Sequence, residues 1–322
     1  MTVPTTLRAD LHVHTRHSTE CGTLRFLRSR DCYSTPDAVY RTAKARGMDL
    51  VCITDHDSIG GALELLDRRP DTSDIIVGEE VTCRLPEGDV EVHIAAYGVS
   101  EALHRDLQDL RGNVFDVTAR LREAGVFCAL NHLLHFYRGQ VPLDTYLRLL
   151  DEVDALEVRN GTMLPAHNLL SEEIATGRRP VPGRGRLAMT AGSDAHTLRR
   201  VGLTWTEAPG RTREEFLSSL RSGLSRPAGR HGGVSAVAGD AYGVVSRYVA
   251  TLVGFGKPEV RSWRRAACVA FAAASLPFQF MPLVAAAARK AAERREVERA
   301  RTQLGPAAAP ALYPAHADLP DR

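Results

Sequence analysis

Lysine is scarce in this 322-residue chain: of its 41 basic residues only Lys44, Lys257 and Lys290 are lysines, so nearly all positive charge is arginine. Arginine matches phosphate oxygens in a bidentate way, although genomic base composition explains such a bias equally well. Excess charge of one sign is also missing, since 39 acidic residues leave a net charge of +2. That balance excludes a global field for nucleic acid or an anionic membrane, so phosphate affinity must come from a local site. The six cysteines form no C-x-x-C pair and lie mostly in apolar runs, which points to buried, reduced thiols. Met1 to Asp10 holds no apolar signal-peptide core, so a reducing cytoplasm is the expected compartment.

What is present is a rhythm. The apolar share of 44% and charged share of 25% are ordinary for a folded protein. Short β-rich runs alternate with helix-period segments, the pattern of βα units in a mainly parallel sheet or barrel. The runs are Arg8–Val13, Leu50–Thr54, Ile75–Thr82, Val90–Tyr97, Phe127–Leu130, Ala155–Val158 and Leu187–Ala191. Between them a helix is expected over Pro36–Arg46, with Thr35 as N-cap, Pro36 in the first turn and Gly47 as stop. A second, long helix is expected over Glu101–Ala124.

Past Arg221 the rhythm ends, and Gly/Ser/Arg-rich sequence through Gly233 reads as a connector. The expected organisation is a barrel domain over 1–225, a helical, apolar extension over 226–304 and a disordered Pro/Ala-rich tail over 305–322. Within the extension, Ala266–Ala288 carries no charge and is long enough to span a bilayer, but Pro277, Gln279 and Pro282 interrupt it. Three readings stay open: a spanning helix, a hairpin docking on a membrane or partner, and helices packed on the barrel or on a second copy.

Chemistry gathers at the ends of the β-rich runs. The first ends in His12-Val13-His14, and residues two apart on a strand face the same way, so both imidazoles can reach one ion. An H-x-H alone is more often a pair of ordinary core or surface histidines. Here, however, later runs end in or carry Asp55-His56, Glu79-Glu80, Glu91 and His93, Asn131-His132, and Asp194-Ala195-His196. In a (β/α) barrel these positions would fall on the C-terminal rim, where such folds build active sites.

In these motifs the chain resembles the PHP (polymerase and histidinol phosphatase) family. Its H-x-H-T-x-x-S, T-D-H, G-x-E-[VI]-[ST] and G-S-D-x-H patterns match His12–Ser18, Thr54–His56, Gly78–Thr82 and Gly192–His196, with His93 and His132 between. The resemblance implies a distorted seven-stranded, TIM-like α/β barrel with a C-terminal helical extension. It further implies two or three divalent ions, zinc, manganese or iron, held by His12, His14, His56, Glu80, His93, His132, Asp194 and His196, with Glu80 as bridging carboxylate. Where the family carries Asp or His shortly after the first motif, this chain has Thr19 and Glu20, and Glu20 is the candidate ninth ligand. Leu133 stands where the family has proline after the strand-end histidine.

The implied reaction is hydrolysis of a phosphate mono- or diester through a metal-bound hydroxide. The substrate class is a phosphorylated metabolite, nucleotide or oligonucleotide end, with no long nucleic-acid track expected. Asp55 is the candidate orienter of a ligand histidine, His17 and His135 are candidate proton donors, and Arg159, Asn160 and Arg199 are candidate phosphate contacts. Two alternatives remain. One is an amidohydrolase-like C–N hydrolase, whose lysine-bridged form is excluded because no lysine lies between Lys44 and Lys257. The other is a non-catalytic, metal-stabilised binding module docked to a membrane or partner.

Overall fold

The computed structural model describes residues 5–19, 29–177, 186–254 and 262–304. Its strands are β1 (Thr6–Asp10), β2 (Leu50–Ile53), β3 (Ile75–Leu85), β4 (Val90–Tyr97), β5 (Phe127–Leu130), β6 (Ala155–Asn160), β7 (Ala188–Gly192), β8 (Thr204–Pro209) and β9 (Arg226–Gly229). They form one sheet in the order β7-β6-β5-β4-β3-β2-β1-β8-β9, curled into a distorted barrel. The sheet nearly closes where β7 approaches β8 and the end of β1. There the Thr206 hydroxyl accepts from Ala191 N and donates to Ala191 O, and Asp194 N donates to His12 O.

Three expectations need correction. The sheet has nine strands rather than seven, because Thr204–Pro209 and Arg226–Gly229 were not read as strands and the second lies inside the supposed connector. It is also mixed: β4 runs antiparallel to both β3 and β5, and β8 antiparallel to β1. The long helix is two, α3 (Glu101–Leu110) and α4 (Val114–Glu123), because the Asn113 side chain accepts from Phe115 N and caps a fresh start.

The other helices are α1 (Pro36–Ala45), α2 (Gly60–Arg68), α5 (Leu143–Leu147), α6 (Pro165–Gly177), α7 (Arg213–Arg221), α8 (Val234–Leu252), α9 (Ser262–Ala274) and α10 (Met281–Leu304). α1 starts as its sequence signals, with Thr35 Oγ1 accepting from Ala38 N and Pro36 in the first turn.

Strand alternation divides the core. Cys52, Ile76, Ala95, Tyr97, Phe127, Ala129, Ala155 and Ala188 belong to one buried cluster inside the barrel, floored by Phe216 and Leu220 of α7. Their neighbours of opposite parity, such as Ile53, Ile94, Leu130 and Leu156, face the surrounding helices in separate clusters. The alternation of two then dictates what lies above the floor. Glu80 has the parity of Ile76, His93 that of Ala95, and Glu157 that of Ala155, so three polar side chains enter the barrel where its apolar filling stops.

The extension packs on the rim. Asp240 of α8 accepts from Thr197 Oγ1 at 2.6 Å and pairs with Arg200, clamping the loop after β7. On α10, Glu293 accepts from Leu164 N at 2.7 Å and pairs with buried Lys290, while Arg299 donates to Arg138 O.

Candidate metal centre

Glu80 is the hub. Its Oε2 lies 3.0 Å from His12 Nε2, 3.2 Å from His56 Nδ1 and 3.4 Å from His14 Nε2. Its Oε1 lies 3.1 Å from both His93 Nδ1 and His132 Nε2 and accepts from Asn131 Nδ2 at 2.8 Å. Asp194 is a second hub, its Oδ1 standing 3.4 Å from His14 Nε2 and 3.6 Å from both His12 Nε2 and His196 Nδ1. The structure thus brings together all eight expected donors that fall among the described residues; Glu20 lies outside them.

Four donor groups can be drawn whose atoms lie within 4.8 Å of one another: His12, Glu80 and His132; His12, His14 and Asp194; His56, Glu80 and His93; and His14, Asp31, His56 and His196. Asp31 was missed from the sequence, yet its Oδ2 is 3.6 Å from His196 Nε2 and 3.9 Å from His56 Nε2.

β4 gives the site its fourth wall for an unexpected reason. Because that strand is reversed, the rim receives its beginning rather than its end, and His93 sits level with Thr82 and beside Asn131, whose N donates to His93 O. Two donors are carried on left-handed backbone, His132 at φ 29° and Asp194 at φ 51°, a conformation that costs energy and is held by surrounding contacts. Gly192 is required by closeness: a Cβ there would lie 2.2 Å from His12 Cβ and 2.6 Å from its backbone N.

The donor chemistry suits divalent cations. Nitrogen and carboxylate oxygen without thiolate fit zinc, manganese or iron, and one ion needs only four to six of these groups. His14 Nε2 is buried and makes no hydrogen bond, although carboxylate oxygens stand 3.4 Å away. Burial pushes His14 down to about 4 and His56 well below the usual imidazole range, which leaves both with the lone pairs a cation needs. Burial also opposes charge on Glu80, Asp194 and His12, but their mutual attraction wins. Both carboxylates are held well below their ordinary range, and His12 well above the imidazole range.

Around the donors sits a shell of orienting groups. Glu157 Oε1 bonds His12 Nδ1 at 2.9 Å, while its Oε2 accepts from His132 N and Asn160 Nδ2. Asp10 accepts from the backbone N of His12, Ser193 and Gly202, and burial raises it to about 6.

The remaining expected roles are redistributed. Asp55 is buried and bonds Thr15 and Ser18 rather than an imidazole, reaching His14 Nδ1 only through Ser18 Oγ. His17 is drawn to Glu64 of α2 at 2.6 Å, away from the donors. His135 does stand over the site, its ring 5.1 Å from that of His132, but it contacts Arg289 of α10. Burial and that guanidinium push His135 well below its usual range.

Arg159 turns to Gly229 O, and buried Asn160 binds Glu157, Asp194 and Thr162. Arg199 is exposed, whereas its neighbour Arg200 turns inward to Gly161 O and Asp240.

Residues 184–224, which include the Gly192–His196 motif, match the family profile described as PHP-associated. An uncharacterized protein of Methanocaldococcus jannaschii is 32% identical over 76 residues, a stretch covering 23% of this chain and 44% of that protein. Among solved structures, a protein from Bifidobacterium adolescentis described as a putative metal-dependent phosphoesterase is 19% identical over 60% of this chain and 88% of its own, with a TM-score of 0.43. A lesion-specific endonuclease from Pyrococcus furiosus is 16% identical over 69% and 58%, with a TM-score of 0.47. An amidohydrolase from Chromobacterium violaceum is 18% identical over 60% and 89%, with a TM-score of 0.44.

Proposed function

We propose that this protein hydrolyses phosphate esters at a centre of two or three divalent cations held by His12, His14, Asp31, His56, Glu80, His93, His132, Asp194 and His196. The observation that carries the reading is the Glu80 carboxylate, which meets five imidazoles from four separate stretches of chain inside the barrel rim. One buried carboxylate so placed has the arrangement of a bridge between cations. Bound there, divalent ions would supply a water acidified towards neutral pH and neutralise charge gathering on phosphoryl oxygens.

The chain's own groups divide the remaining work. Glu80 and Asp194 bring the negative charge that fixes the cations, and Glu157 fixes the tautomer and tilt of His12. His135, whose ring lies beside that of His132, accepts from Arg289, and the fork of that guanidinium suits a phosphate oxygen pair. Phe136, its ring 4.8 Å from that of His93, supplies an apolar wall. The substrate is a phosphorylated metabolite, nucleotide or oligonucleotide end.

The test is a screen of phosphomonoesters, phosphodiesters and nucleoside bisphosphates beside an amide and a cyclic urea, using protein of measured metal content. Metal-dependent phosphate release is expected, with His12→Ala and Asp194→Ala lowering both ion content and turnover. Hydrolysis of the amide or cyclic urea alone would make the protein a C–N hydrolase. Metal-loaded protein inactive on every ester between about pH 6 and 9 would favour the binding module.

A further inference from the structure

The charge-free run Ala266–Ala288 is divided among α9, a 3-10 turn at Leu276–Phe278 and the start of α10, and among the described residues no helix is long and apolar enough to cross a membrane. Ahead of it, α8 lies against the turn that follows β7. Asp240 and Gly243 stand three residues apart on α8 and so share a face. Asp240 Oδ1 accepts from Thr197 Oγ1 at 2.6 Å, and a Cβ at Gly243 would come 2.8 Å from Thr197 Cγ2, so helix and turn meet closely at that residue. Asp240 Oδ2 stands 3.2 Å from Arg200 Nε, and Arg200 also donates to Gly161 O in the loop after β6. Both charged side chains are buried.

The donors of the metal centre differ in how the chain holds them. Glu80 and His93 lie within β3 and β4, where the ladder between adjoining strands fixes their backbone. His196 has no ladder. β7 ends at Gly192, Ala195 makes an isolated bridge to Val13, and His196 opens the turn beyond that bridge with its side chain 24% exposed. Farther along, Arg46 donates to Leu198 O at 3.2 Å and Arg199 O at 3.1 Å, but Thr197, the residue next to the imidazole, is tied down by Asp240. A donor already held in place binds more tightly than one that must be ordered as the ion arrives.

We propose that Asp240 is a positioning residue for His196, through which the C-terminal extension sets the affinity for a cation held by His14, Asp31, His56 and His196. The inference rests on the proposed centre, but it concerns ion affinity rather than turnover. The donor groups built on Glu80 contain no residue of this turn, so their affinity is independent of α8.

The experiment is titration of the metal-free full chain with zinc in competition with a coloured chelator. Asp240→Asn breaks the pair with Arg200, and Thr197→Val removes the hydroxyl that Asp240 accepts from while leaving that pair intact. Each should weaken one ion by about tenfold or more and leave the others at parental affinity. Thr197→Ser, which keeps the hydroxyl, and Tyr242→Phe, which removes a different contact of α8, to Gln279 O, should bind every ion as the parent does. Thermal unfolding of each metal-free variant confirms that it is folded, and Thr197→Val decides the matter if Asp240→Asn does not fold. The proposal is overturned if folded Thr197→Val binds every ion like the parent, or if all ions weaken together. It is likewise overturned if Thr197→Ser or Tyr242→Phe loses as much affinity as Thr197→Val. An unaltered chain that binds no ion would overturn the centre itself, and this inference with it.

Discussion

Replacing Glu80 by glutamine keeps the size of the side chain and removes one buried charge from the middle of the donor set. Two of the four donor groups contain Glu80 and two do not, so loss should be partial. Even at the outer spacing of 4.8 Å within a group, unit charges interact by about 3.5 kcal/mol at an effective dielectric of about 20. At 1.4 kcal/mol per tenfold this is about 300-fold in affinity, so we expect at least one ion per chain to weaken by two orders of magnitude or more. Ions held by the other groups should remain.

Elemental analysis after dialysis against a weak chelator gives the count, and competition with a coloured chelator gives the affinity. The metal-free variant must be melted alongside, since glutamine sets an N–H group against imidazoles that now face a carboxylate. Metal content and affinity unchanged in Glu80→Gln, with the fold intact, would refute the bridging role and with it the proposed centre.

Asp31→Asn should weaken only the group it shares with His14, His56 and His196, lowering affinity for one ion about 10- to 100-fold by the same titration; unchanged affinity would make Asp31 a loop residue. Glu157→Gln should cost a similar factor through His12, with ring-nitrogen NMR shifts reporting a changed tautomer; a His12 spectrum like that of the unaltered chain would remove the orienting role. The buried pair Lys290–Glu293 joins α10 to the loop after β6, so Lys290→Met should destabilise the protein by about 3–5 kcal/mol in urea unfolding. Lys290→Met with Glu293→Leu should recover much of that loss, and a single variant as stable as the parent would mean that the pair contributes nothing.

Most of the donor set was legible because its residues stand at the ends of apolar runs, where alternation of two fixes the side they face. Asp31 was not legible, because it follows loop sequence with no period, and only the chain's return to the rim brings it beside His196. Glu157 did carry a signal, a carboxylate within the apolar run Ala155–Val158, where an unpartnered charge would be too costly to bury. The direction of the arginine after β7 was not legible either: the turn sends Arg200 inward and Arg199 to solvent, and no periodicity extends into a turn.

Strand direction is the deeper case. Alternation identifies a strand equally well in either sense, so parallel neighbours on all sides were the natural expectation for β4. Its chemistry nevertheless pointed the other way. His12, His14, His56, His132, Asp194 and His196 follow their apolar runs, whereas His93 precedes the Ile94-Ala95-Ala96-Tyr97 that fills the barrel and the helix contacts below. If every donor must reach one rim, a donor that comes before its apolar segment requires a strand that starts at that rim and runs down. The antiparallel register of Thr82 with His93 is this reversal, and it places Glu80 and His93 on adjoining strands, close enough to share an ion.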